Sequence, residues 1–182
     1  TSAAPYRALA LSTIASTICF AVWTLFSIIG VKIKQELGLD DSEFGLLVAT
    51  PVLTGALSRF FLGLISDKFG GRRIFSLLML LTALAVYSVS TASSLNMFLL
   101  AALGLGFAGG SFAVGVSYVS KWFDRSRQGT ALGVFGAGTI GTAITTFGAP
   151  LLVNAMGWRH TVKLYAAVMA VGAVLFYLLT QD

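Results

Sequence analysis

Charge is what this 182-residue chain has least of: 10% of its residues are Asp, Glu, Lys or Arg, against 57% hydrophobic. A water-facing domain averages about 25% charged residues, so an ordinary soluble fold is excluded. Cysteine is scarcer still. Cys19, the only one, can form neither an internal disulfide nor a metal cluster, and within its apolar run it reads as a small buried hydrophobe. The one histidine, His160, lies beside Trp158 and Arg159 at a predicted loop. No nucleophile, metal-ligand set or carboxylate pair accompanies it, so no enzyme, cofactor or metal site is expected. Net charge is +5, yet the 12 Lys and Arg scatter among loop ends without forming a continuous basic face, so no nucleic-acid partner is expected either.

What is abundant is uncharged length. Charge-free stretches run over residues 8–31, 44–58, 74–120, 128–158 and 164–181, and mean hydropathy is +0.88. A helix needs roughly 20 apolar residues to cross a hydrocarbon core of about 30 Å. If Arg59 is admitted into the second stretch and residues 90–95 split the third, the chain forms an all-α membrane protein. Its six spans are predicted at 8–31, 44–66, 74–92, 95–120, 129–153 and 161–180, a single unit over 1–182 with only short loops. A membrane β-barrel would alternate apolar and polar residues, whereas 75–89 is apolar nearly all round. The first span is too long for the 7–15-residue core of a cleavable signal peptide. Opening at Thr1 without a methionine suggests a processed product or a fragment.

With the N-terminus inside, cytoplasmic segments carry Arg7, Lys68, Arg72, Arg73, Lys121, Arg125 and Arg127, and the opposite ones Lys32, Lys34, Arg159 and Lys163. Seven against four places both termini in the cytoplasm, and the expected location is the cell (inner) membrane. Lys121-Trp-Phe-Asp-Arg-Ser-Arg127 reads as an interfacial anchor and cytoplasmic gate loop rather than a binding motif. Eleven of the twenty glycines fall within 104–148, where small residues let helices cross closely. They also leave room for a substrate or for sliding. An internal repeat shows at an offset of 87 residues: residues 67–77 lie over 154–164, matching Gly70 with Gly157, Arg72 with Arg159 and Leu77 with Leu164. Each segment joins the second and third helix of a three-helix unit. Three spans is an odd number, so the copies face opposite sides of the membrane, the pattern of 3+3 inverted repeats in secondary transporters.

Arg59 interrupts the second span, roughly 10 Å from its cytoplasmic end at 1.5 Å per residue. Mid-helix arginine costs about 2.5–3.5 kcal/mol on insertion scales and marks a functional site by default. No membrane-embedded Asp or Glu offsets it. The side chain can snorkel to the headgroups, pair with a carboxylate from elsewhere, or bind an anion in a watered cavity. The planar, permanently charged guanidinium fork suits the last role.

The following loop, Gly63-Leu-Ile-Ser-Asp-Lys-Phe-Gly-Gly-Arg-Arg73, carries Gly63, Asp67, Lys68, Gly70, Arg72 and Arg73 in the order Gly-x-x-x-Asp-Arg/Lys-x-Gly followed by basic residues, with Gly71 inserted. It resembles the signature between the second and third helices of the major facilitator superfamily, in which such charges make contacts that differ between conformational states. Val48-Ala-Thr-Pro-Val-Leu-Thr-Gly-Ala-Leu-Ser-Arg59, Ala108-Gly-Gly-Ser-Phe-Ala113 and Gln128-Gly-Thr-Ala-Leu-Gly-Val-Phe-Gly-Ala-Gly-Thr-Ile-Gly141 resemble the second, fourth and fifth helices of its nitrate/nitrite porter branch.

That resemblance implies the N-terminal six-helix half of an alternating-access transporter for nitrate or nitrite. Arg59 would bind the anion, Phe112 would pack on its flat face, and Gly138, Thr139 and Gly141 would line the cavity. Thr139 stands where the signature has asparagine. The implied partners are the nitrate or nitrite anion, the lipid bilayer, and either a C-terminal six-helix half or a second copy. Competing readings are a porter for another small anion or an organic substrate, and a non-transporting membrane assembly domain. Proton coupling would need a titrating group outside this chain, whereas anion exchange would not.

Overall fold

The computed structural model describes residues 4–180. Among them the chain forms α1 (Ala4–Leu37), α2 (Asp41–Phe69), α3 (Gly71–Thr91), α4 (Leu95–Leu105), α5 (Phe107–Ser120), α6 (Arg125–Gly136), a 3₁₀ turn (Ala137–Thr139), α7 (Ile140–Met156) and α8 (Trp158–Leu179), with no strand. Two interruptions fall inside spans: α4 and α5 together make Leu95–Ser120, and α6 through α7 make Arg125–Met156. Six helical stretches are therefore long and apolar enough to cross a membrane.

Local chemistry sets the ends. Gly38 takes φ +65° after α1, and the Leu39 amide reaches back to the Lys34 carbonyl at 3.1 Å, a left-handed helix stop that a side chain resists. Two residues on, Asp40 opens α2 with a capping box: its Oδ1 accepts from the Glu43 amide at 2.8 Å, and its own amide donates to Glu43 Oε1 at 3.3 Å. Ser94 caps α4 through the Met97 amide. On α1, Cys19, Val22, Phe26, Ile29 and Ile33 are fully buried at helical spacing, which makes α1 a central element. The large exposed apolar side chains gather on outer faces, such as Leu53, Leu57, Phe60 and Phe61 of α2. A face of that kind requires lipid or a protein partner.

The pairing of helices carries the inverted repeat. The most extensive contacts are α3 with α8, α2 with α5 and α1 with α7, which are spans three with six, two with four and one with five. Exchanging the first three spans for the last three turns two-with-four into five-with-one and leaves three-with-six unchanged. Gly70 and Gly157 match in detail, with φ, ψ of 96°, 133° and 86°, 157°. Their amides donate to the Ser66 and Val153 carbonyls at 2.9 Å, and their carbonyls accept from the Ile74 and Thr161 amides at 3.2 Å. Every partner is displaced by the same 87 residues. So are Pro51, inside α2, and Gly138, inside the 3₁₀ turn.

Two arginines complete the symmetry. Arg72, in the first turn of α3, donates from Nε to the Tyr177 carbonyl at 2.8 Å and stacks 4.2 Å from that ring. Arg159, in the first turn of α8, donates from Nη1 to the Ser90 and Ala92 carbonyls at 2.8 and 3.1 Å. Residues 90 and 177 are themselves repeat-mates. Each third helix thus clasps the carbonyl end of the other, where helix termini leave acceptors unpaired and the dipole favours a cation. Arg7 adds a further clasp on the Leu179 carbonyl, at 2.9 and 2.6 Å.

A charge-assisted hydrogen bond contributes about 1.5–3 kcal/mol. Arg159→Ala should therefore lower the unfolding temperature in detergent by roughly 3–10 °C at this chain length, and Arg72→Ala should do the same. Nanoscale fluorimetry checks this, and unchanged melting in both variants would remove the clasps from the account of stability.

Candidate functional site

Arg59 owes its position to a backbone approach between α2 and α5. A Cβ on Gly106 would sit 2.7 Å from the Pro51 carbonyl oxygen, one on Gly110 would collide with the Ser58 hydroxyl, and one on Gly55 would lie 3.1 Å from the Gly106 carbonyl. With those methyl groups missing, the helices meet through their main chains. Arg59, next to Ser58, then reaches across α5 and donates from Nε to the Gly109 carbonyl at 3.1 Å. Its guanidinium carbon lies 6.0 Å from the Trp23 ring centroid on α1. Neither Nη1 nor Nη2 has a hydrogen-bond partner among the described residues, and no carboxylate pairs with the charge there, the ion pairs being Lys34–Asp41 and Arg159–Glu36. The Arg59 side chain is anchored into α5 at Nε while its outer nitrogens remain available.

Phe112 lies one turn beyond Gly109 on α5, half-buried in a row of rings. Its centroid is 6.3 Å from Phe20 and 5.4 Å from Phe135, and Phe20 is 6.3 Å from Trp23. Gly115 makes room for Phe135, against which a Cβ would collide. The fifth-span residues are placed differently. Gly138 and Gly141 press on α1: a Cβ on Gly138 would sit 2.7 Å from Ser16 Oγ, and one on Gly141 would overlap the Thr17 carbonyl. Thr139 is exposed on the 3₁₀ turn, its hydroxyl donating to the Gly136 carbonyl at 3.0 Å. Further along the same contact, Thr24 bonds Thr142 at 3.2 Å and Thr145 donates to the Ala21 carbonyl at 2.8 Å.

The profile of the Major Facilitator Superfamily matches residues 11–182. This chain belongs to the Major Facilitator Superfamily. Among curated proteins it is 41% identical to the probable nitrate/nitrite antiporter NarK1 of Thermus thermophilus, over 94% of this chain and 42% of that protein. It is 36% identical to a nitrite extrusion protein of Bacillus subtilis, over 93% and 43%. With the probable nitrate transporter NarT of Staphylococcus carnosus it shares 33%, over 94% and 44%. The chain thus spans less than half the length of these relatives. Among solved structures, an inward-facing, unoccupied bacterial homolog of the human lysosomal transporter Spinster superposes with a TM-score of 0.84 at 18% identity, over 100% of this chain and 44% of that one. The all-helical superfamily fold and an integral membrane protein follow.

The superfamily loop signature is built from separate contacts. Asp67 accepts a short hydrogen bond from the Ser117 hydroxyl on α5, Lys68 lies 5.4 Å from the Phe69 ring, Gly70 makes the turn, Arg72 clasps α8 and Arg73 is exposed. Gly63 abuts Ala113 at 3.8 Å from a would-be Cβ. Asp67 forms no ion pair with these basic residues among the described ones. Neighbouring residues on a helix diverge, and Gly70 carries the two arginines onto another helix. Trp23 is the residue that pattern reading passes over. Its Nε1 donates to the Pro51 carbonyl at 3.3 Å, 28 residues away, and an aromatic in a charge-free run otherwise reads as a lipid-facing one.

The glycine contacts are directly testable. Gly141→Ala places a methyl group into the Thr17 carbonyl, so detergent-extracted protein should lose its monodisperse peak in size-exclusion chromatography. Gly133→Ala has nothing within 4 Å and should retain that peak, with helix propensity adding up to about 1 kcal/mol.

Proposed function

We propose that this chain forms one six-helix wall of an alternating-access pathway for nitrate or nitrite. In this reading it is the N-terminal half, both termini are cytoplasmic, the membrane is the cell (inner) membrane, and a complementary six-helix unit supplies the opposite wall. The observation that carries this is the state of Arg59: a permanent charge in mid-span, tied at Nε, with no carboxylate pairing it and no partner on either terminal nitrogen among the described residues. Such a fork donates two parallel hydrogen bonds to a planar oxyanion, and in a low-dielectric span it favours a single negative charge in the site. Phe112, held in its ring row, supplies a flat apolar face beside that anion. Gly138 and Gly141 contribute by holding the fifth span against α1, and Thr139, on the exposed turn between them, borders the pathway.

The relatives named for nitrate and nitrite support the choice of anion. Their greater length supports a second unit, as does the exposed apolar face of α2 that carries Arg59. The loop signature at Gly63, Asp67, Lys68, Gly70, Arg72 and Arg73 then acts as the cytoplasmic gate, with Asp67 held by the Ser117 hydroxyl on α5.

Arg59→Lys in the complete transporter keeps the charge and loses the fork. Nitrate uptake into proteoliposomes should fall about 10–100-fold, the equivalent of one charge-assisted hydrogen bond of about 1.5–3 kcal/mol. Near-normal flux would refute the role. Competition by nitrite, chlorate and small carboxylates in the same assay separates nitrate from other anions.

A further inference from the structure

Resting on the nitrate reading, we propose that Trp23 is a positioning residue that aims the Arg59 fork. Three observations converge on it. Its indole ring lies 6.0 Å from the guanidinium carbon, within reach of the attraction between a cation and an aromatic ring. The same ring rests on Gly109, where a Cβ would stand 2.9 Å from Trp23 Cε2, and on Gly55, where it would stand 3.5 Å from Cζ2. The indole N–H is tied to the Pro51 carbonyl at 3.3 Å. Trp23 is thus wedged into a slot made by glycines of α2 and α5, and the glycine beneath it is the one whose carbonyl receives Arg59 Nε at 3.1 Å.

The geometry divides the guanidinium. With Nε committed to Gly109, the edge carrying Nη1 and Nη2 is left for the ligand. The indole beside the guanidinium restricts its rotation, so the fork keeps one direction. A flexible arginine would have to be ordered at each binding event, and holding it in advance reduces that entropic cost. The consequence is selectivity by shape: a planar oxyanion uses both outer nitrogens, whereas a spherical anion gains little from a fixed fork.

The test compares wild-type full-length transporter with Trp23→Leu and Trp23→Phe, reading nitrate and bromide binding by calorimetry and unfolding temperature without ligand. Trp23→Leu should raise the Kd for nitrate about fivefold or more while leaving that for bromide within twofold, and Trp23→Phe, which keeps an aromatic face, should fall between. A fall in nitrate-over-bromide preference supports the positioning role. Equal weakening of both anions, or no change in either, overturns it, because a purely structural defect does not discriminate by shape. If Trp23→Leu fails to assemble, Trp23→Phe decides: unchanged preference overturns the proposal. Wild-type protein that binds no nitrate overturns the nitrate reading itself, and this proposal with it.

Discussion

The approach of bare backbone to bare backbone joins α2 to α5 and α1 to the fifth span, and the site depends on it. Between helices in a bilayer the hydrophobic effect offers little, because lipid is as apolar as the side chains it would replace, and association falls to close packing and internal hydrogen bonds. Gly55, Gly106, Gly109 and Gly110 bring α2 onto α5, and Gly138 and Gly141 bring α7 and its preceding turn onto α1. The site is a product of the first of these contacts. Only where α5 lacks Cβ atoms can Arg59 reach a main-chain carbonyl of its neighbour, and only there can the Trp23 ring lie against both helices.

The inverted repeat solves the problem of helix ends with the same residue type twice. Each third helix begins with an arginine that covers the final carbonyls of the other, Arg72 on Tyr177 and Arg159 on Ser90 and Ala92. The two clasps lie at opposite faces of the bundle, since the copies are inverted. Conserving this geometry under inversion puts a clasping arginine at both faces, so the pair adds the same charge to each side.

Much of the fold could be read from where charges are missing, because a span must exclude them. The helices run past those gaps, to Leu37 in α1 and from Asp41 in α2, because capping at Gly38 and Asp40 sets the ends rather than polarity. The repeat register was visible in three matched residues, and the structure extends it to backbone torsions and hydrogen-bond partners. Arg59 stood out because a charge in mid-span is rare. Its surroundings were not legible, since Gly109 lies 50 residues away and Trp23 looks like any apolar aromatic. Nor could spacing show that Asp67 turns to Ser117, or that Gly138 and Gly141 face α1, because a glycine pattern does not say which neighbour it admits.

Pro51 and the 3₁₀ turn at Ala137–Thr139 stand at equivalent places in the two copies. The first is braced by Trp23 and the second by Ser16, seven residues apart on α1 and so roughly 10 Å apart in height. Proline and 3₁₀ segments are where helices bend most readily. Seen as a mechanical object, the bundle is a set of beams, two of them notched at repeat-related points and a third interrupted at Gly106 between α4 and α5. Because the two copies are inverted, the same kind of local weakness is presented once in each orientation.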